Sequence, residues 1–273
     1  MTFTEPAPNA TFTITTLPLW PTIVFSTDAH GPHTWEWTIG WDVFSAAGSV
    51  NTTSGQWNAA MAIGNRGGKL TVRATAGGAT ATITVNIRAA NPSVTEVTNY
   101  LNSRPNSDGF GAIVAHETNA IQFRNNLPVK SGDSGYGICQ LTNPRPTFEQ
   151  AWNWKMNVDA GLALFAQKRF AAMTFLGQSG RTFTSEQLRR ETVCRWNGGP
   201  YHRWDDQAKK WARNPDILCD TQTRNIGWDM TLAPNTGRTE ADLRTRDHPY
   251  AVPRPAGAGY NFFGVCYADR VLG

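Results

Sequence analysis

The sequence predicts two domains of different class: an all-β sandwich over residues 1–90 and a mainly α-helical domain over residues 91–273. Three observations predict this. Up to about residue 90 the apolar residues alternate or are β-branched, with Gly, Pro and Asn between the runs, as in short strands. The stretch Ala89–Pro92 interrupts that pattern. From Ser93 onward apolar residues recur at helical spacing. At 273 residues the chain is long enough to bury more than one core.

The strands are read from ATFTITTL, TIVFST, HTWEWTIGW, KLTVRATA and ATATITVNI. GNRGGK and the Gly77–Gly78 pair supply turn chemistry between them. Several short strands at this spacing suit a sandwich of immunoglobulin type. The segment GGKLTVRATAGGATATITVNI resembles the closing hairpin of bacterial immunoglobulin-like domains. No constellation of catalytic residues falls in this region, which is expected to act as a spacer, with adhesion as the alternative.

Ser93 with Glu96 forms a capping box that opens a helix whose apolar face is Val94, Val97 and Leu101. A second helix is expected from Asp108, its N-cap, to Asn119. A long helix should run from Trp154 to Leu176, with Val158, Leu162 and Phe165 inward. Thr184 and Gln187 cap another that stops at Trp196, before Gly198–Gly199–Pro200. Residues 201–258 lose clean periodicity and read as a long, partly irregular insertion. Phe263, Tyr267 and Val271 have the spacing of a closing helix.

The chemistry concentrates in GFGAIVAHETNAIQFRNNLPVKSGDSGYGICQLTNP, residues 109–144. Phe110, Ile113 and Val114 lie at i, i+3 and i+4, and Glu117 takes the i+7 place on the same face. A carboxylate on an apolar helix face is costly unless paired, or protonated near neutral pH. A Glu of raised pKa, near a flexible glycine-rich loop holding a second acid, Asp133, is the arrangement glycoside hydrolysis uses. His116–Glu117 invites a zinc-protease reading, but the second His position of H-E-x-x-H is Ala120, so that motif fails. With five His and no CxxC spacing, neither a metal nor another cofactor is expected.

Four stretches, taken together, resemble the lysozyme-like superfamily of goose-type lysozymes and soluble lytic transglycosylases. AHET stands where that family carries A-x-E-S, with Thr118 in place of the usual Ser. GICQLTNP matches G-x-x-Q-x-x-P through Gly137 and Gln140 and, offset by one residue, Pro144. Asn157 precedes a helical Gly161, and Trp196–Asn197–Gly198–Gly199–Pro200 matches the Y/W-N-A/G-G-P turn. The resemblance covers residues 93–200 and departs over 201–258.

The resemblance implies a lysozyme-like domain that cleaves peptidoglycan between N-acetylmuramic acid and N-acetylglucosamine. Glu117 would be the general acid, desolvated by its helix face. Gln140, Asn197 and Gly198 would line the sugar cleft, and Tyr136 would stack on a pyranose or wall the cleft. Gly135, Gly137 and Gly199 would let backbone approach the sugar. Asp133 occupies the place of the loop acid of goose-type lysozymes, which makes it the candidate general base for hydrolysis; its other reading is a turn residue. Without that acid, the muramoyl 6-hydroxyl attacks and an anhydro product results. The remaining alternatives are a chitinase and a non-catalytic wall-binding structural module.

Eleven tryptophans and a charged fraction of 17% suit a carbohydrate partner, with Trp204, Trp211 and Trp228 as candidates to extend the groove. The net charge of +4 and pI of about 9.0 suit an anionic polymer such as bacterial cell wall. No concentrated Lys/Arg run supports nucleic acid, and no run reaches transmembrane length. MTFTEPAPNATFTITT has neither the basic nor the apolar region of a signal peptide. Delivery to the periplasm or wall of a target bacterium by a secretion machine or phage route is therefore expected, the alternative being a chain cut from a longer one, and an antibacterial effector would have a cognate inhibitor or immunity protein. Cys139, Cys194, Cys219 and Cys266 allow three two-disulfide connectivities, or buried free thiols. One alternative for the insertion is a lid that pairs Cys194 with Cys219.

Overall fold

The computed structural model describes residues 1–223, 225–247 and 259–273. Helices and strands are nearly balanced among them, at 31% and 29%, in eight helices and five small sheets. This corrects the expected immunoglobulin-like sandwich followed by a mainly α lysozyme-like domain: the chain is a mixed α/β fold. The physical reason lies at both ends. Helical residues complete the core of the strand-rich part, and the second half folds seven further strands that carry no long apolar alternation. Two compact units form, one from residues 1–104 and 117–161, the other from 105–116 and 162–273.

The first unit begins with β1 (Phe3–Glu5), β2 (Thr11–Ile14), β3 (Val24–Thr27), β4 (His33–Trp41), β5 (Phe44–Thr52) and β6 (Gln56–Asn58). A short helix α1 (Ala60–Ile63) leads to β7 (Gly68–Ala76) and β8 (Ala79–Ala89). The main sheet runs β2-β8-β7-β4-β5, and a smaller one runs β1-β3-β6. Period-2 alternation fixes the register: Trp35, Trp37 and Ile39 sit opposite Ala74, Val72 and Leu70, and Leu70 and Val72 sit opposite Val85 and Ile83. All of these are buried.

The unit continues with α2 (Val94–Asn102), closed at its start by the expected Ser93–Glu96 capping box. It takes the last two residues of α3 (Phe110–Thr118), then β9 (Phe123–Arg124), β10 (Leu127–Pro128), α4 (Phe148–Trp152) and α5 (Trp154–Leu176) through Gly161. Phe123, Phe148, Ala151 and Trp152 belong to the same hydrophobic core as Trp35, Ile39, Leu70 and Val85. Polar ties reinforce that shared core: Arg66 Nε donates to Glu149 at 2.7 Å, Trp154 Nε1 to the Thr16 carbonyl at 2.6 Å, and Ala89 N to the Asn126 carbonyl at 3.1 Å.

The second unit holds most of α3, the rest of α5, and α6 (Ser185–Trp196) with its Thr184–Gln187 capping box. Within the stretch 201–258, expected to be partly irregular, the described residues form hairpin β11 (His202–Asp205)–β12 (Lys210–Arg213), then β13 (Ile217–Cys219), β14 (Ile226–Asp229) and helix α7 (Glu240–Arg246), with turns between them. The rest of that stretch, with Arg224, lies outside the described residues. β15 (Asn261–Phe262) pairs with β14, and α8 (Gly264–Leu272) ends the chain at the expected place. No helix among the described residues is long and apolar enough to cross a membrane.

Candidate functional site

α3 buries Phe110, Ile113 and Val114, as the spacing requires, and leaves Glu117 half-buried one turn further along the same stripe. The next residue, Thr118, donates its hydroxyl to the Ile138 carbonyl at 2.9 Å. That bond ties the end of the Glu117 helix to the Gly137–Gln140 turn. Burial is the main reason the Cys139 thiol is pushed far up from its ordinary range, and the charges of Glu117 and Asp159 add to it.

Two buried amides hold the inner side of this turn. Gln122 donates Nε2 to the Ala151 carbonyl and accepts from Ile138 N, both at 2.8 Å. Asn157, on α5, accepts from Cys139 N at 3.0 Å and donates to the Tyr136 carbonyl at 3.2 Å. Both side chains are fully buried. Gly137 adopts φ +75°, and a Cβ there would fall 2.5 Å from Asn157 and 2.6 Å from Gln122. Glycine at 137 is therefore required by the protein's own amides. Asn157, which entered through a motif, serves as a backbone clamp. Gln140, at φ +48°, donates Nε2 back to the Gly137 carbonyl at 2.7 Å.

The same loop places Asp133 and Tyr136 differently from each other. Asp133 is exposed, and its carboxylate accepts from the Ser131 hydroxyl and, at 3.4 Å, from Gly135 N. Those bonds are local turn bonds. Tyr136 is fully buried, with its ring edge-on to Trp41 and Phe44 at 5.9 and 5.1 Å. Its hydroxyl donates to Asp42 at 2.6 Å. Burial and the neighbouring Asp42 carboxylate raise its pKa. Full burial leaves the Tyr136 ring no open face for the expected stacking on a pyranose.

Asn197 and Gly198 belong to the second unit. Asn197 caps the C-terminus of α6, donating its backbone N–H to the Cys194 carbonyl at 3.1 Å, and its side chain is exposed. Gly198 is exposed at φ +98°, a conformation that favours glycine. A residue absent from the motif reading governs this turn: Glu191, fully buried on α6. It accepts from the backbone N–H groups of Tyr201 and His202 at 3.1 and 3.0 Å, contacts His202 Nδ1 at 2.9 Å, and pairs with Arg195 at 2.9 Å. Leu188, Glu191 and Thr192 share one helix face, so the spacing argument that singles out Glu117 applies to Glu191 as well.

Of the tryptophans expected to extend a groove, Trp211 and Trp228 are buried, their indoles donating to the Leu176 carbonyl at 3.0 Å and to Asp247 at 2.6 Å. They are core. Trp204 is half-buried beneath the Arg181 guanidinium, 4.4 Å from its ring centroid. The cysteines resolve into a Cys219–Cys266 disulfide, which joins β13 to α8, and buried free thiols at Cys139 and Cys194. This corrects the lid alternative that pairs Cys194 with Cys219. Among the described residues no group of three or more His, Cys, Asp or Glu side chains is arranged to hold a metal ion. No protein-family model matches the chain, and no curated protein matches it significantly.

Proposed function

We propose that the protein cleaves peptidoglycan glycan strands as a lysozyme-type glycoside hydrolase with Glu117 as general acid. The observation that carries this reading is the Thr118–Ile138 hydrogen bond, which fixes the residue after Glu117 on the loop that bears Gln140. The four lysozyme-like motifs support it from the sequence side, and the net positive charge suits an anionic wall polymer. Glu117 gives its proton to the glycosidic oxygen between N-acetylmuramic acid and N-acetylglucosamine as the C1–O bond breaks. Water adds at C1, and the proton it loses goes to a general base, for which Asp133 is the candidate. Gln140 would contact the sugar's amide and hydroxyl groups; a sugar-binding role for Asn197 and Gly198 rests on their motif alone. The site of action on this reading is the periplasm or wall of a target bacterium.

One observation favours a second reading, the anhydro-forming transglycosylase. The Asp133 carboxylate is already engaged by Ser131 and Gly135 within its own turn, as a structural aspartate would be. In that reading the muramoyl 6-hydroxyl attacks C1 in place of water. Digestion of purified sacculi separates the two: reducing-end muropeptides support hydrolysis, and 1,6-anhydro products support the alternative. Absence of any released muropeptide, or undiminished release by Glu117→Gln, would overturn both.

A further inference from the structure

The loop that carries Asp133 and Gln140 is wired to a residue 94 positions before Tyr136. Asp42 sits at φ +51° in the two-residue turn between β4 and β5. Its carboxylate accepts from the Tyr136 hydroxyl at 2.6 Å and from Lys130 Nζ at 2.8 and 3.1 Å. Lys130 and Tyr136 face each other across a β-bridge, and Tyr136 bridges onward to Leu141. One carboxylate therefore grips both strands at the base of the loop.

The hydrophobic setting points the same way. Trp41 and Phe44, which flank the turn, stack with ring centroids 6.0 Å apart, and both meet the Tyr136 ring edge-on. A hairpin that served only as a spacer would end in solvated turn residues. This hairpin ends in a stacked aromatic pair and a carboxylate, and a side chain of the loop packs edge-on against the pair and bonds to the carboxylate. Hydrogen bonds from Lys130 and Tyr136 hold the Asp42 carboxyl below the usual carboxylate range, as expected of a paired acid.

We propose that Asp42, at the tip of the β4–β5 hairpin, is a positioning residue that sets the conformation of the 130–141 loop for glycan binding. The role in glycan binding rests on the proposed function; the anchoring of the loop does not. Asp42 touches no reacting atom and acts through Tyr136 and Lys130.

The test uses the full chain with Asp42→Ala, Asp42→Asn and, as the least disruptive variant, Tyr136→Phe, which keeps the ring and removes only the hydroxyl. Amide hydrogen exchange over residues 131–141 is followed alongside that of α6, and turnover of soluble glycan strands is separated into kcat and KM. The expected result is exchange about tenfold faster in the loop of Asp42→Ala and unchanged in α6. KM should rise by about the same factor, with part of both effects recovered in Asp42→Asn, whose amide oxygen still accepts from Tyr136. Unchanged loop exchange in Asp42→Ala and Tyr136→Phe overturns the proposal, as does faster loop exchange with KM and kcat unaltered. A wild-type chain that cleaves no glycan overturns the proposed function instead, and binding of an N-acetylglucosamine hexamer to wild type and Asp42→Ala then decides the positioning role. Equal affinity overturns it.

Discussion

Thr118 and Ile138 are joined by a 2.9 Å hydrogen bond between the hydroxyl of the first and the carbonyl of the second. The bond ties the end of α3 to a glycine-rich turn. Thr118→Val keeps the shape and removes the donor, and should cost about 1–2 kcal/mol of stability by stranding the carbonyl. Thr118→Ser should retain the bond and most of that stability. Urea unfolding of the three proteins measures the difference.

Glu191 offers a larger effect. Its carboxylate is fully buried among Arg195, His202 and two backbone N–H groups. Glu191→Ala leaves the guanidinium without its partner and should destabilise the protein by about 3–5 kcal/mol. Equilibrium denaturation gives the number, and a loss below about 1 kcal/mol would contradict the packing described for the Asn197–Tyr201 turn.

The pH dependence of stability should carry the signature of Asp42. Its folded pKa is lowered from an ordinary value of 3.8, so the native state holds the unprotonated form more strongly than the unfolded chain does. The associated stability is present above pH 3.8 and is lost as pH falls through the folded value. Wild type should therefore exceed Asp42→Asn in stability at pH 5–6, with the gap closing under progressively more acidic conditions. A gap that stays constant through the acid range would show that the carboxylate charge contributes nothing.

Reduction of the Cys219–Cys266 disulfide should lower stability by about 4 kcal/mol in the chain-entropy picture for a loop spanning 47 residues. Thermal melts with and without reductant check this. Cys139 and Cys194 should react with a thiol reagent only after unfolding, since burial both shields them and raises their thiol pKa values. A non-reducing mass map should show one 219–266 crosslink.

What could be read from the sequence was whatever carries a long period or a cap. β4, β7 and β8 alternate cleanly, and Ser93–Glu96 and Thr184–Gln187 form their capping boxes as expected. α5 begins and ends where the pattern placed it. β5, an edge strand of the main sheet, also alternates, with Phe44, Ala46 and Val50 against the core, but its small Ala, Gly and Ser residues weaken the signal. β11 to β14 span three or four residues each, too few for a period to register. In the site, Glu117, Gln140 and Asn157 were reachable through spacing and motif. Gln122 and Asp42 were not, because each acts on backbone or side chains 16 to 94 residues away and nothing local marks it. The burial of Tyr136 is illegible for a related reason: nothing beside its glycines marks the Trp41–Phe44 pair, more than ninety residues earlier, against which it packs edge-on.

The core that joins Trp152 and Phe148 to Trp35, Ile39 and Leu70 bears on how the chain can be engineered. A cut near residue 90 would leave two halves of one hydrophobic interior, each exposing indole and phenyl surface to water. Residues 91–273 expressed alone should aggregate, and chimeras that exchange only the N-terminal strands should fail unless Trp152, Phe148 and their partner rings travel together.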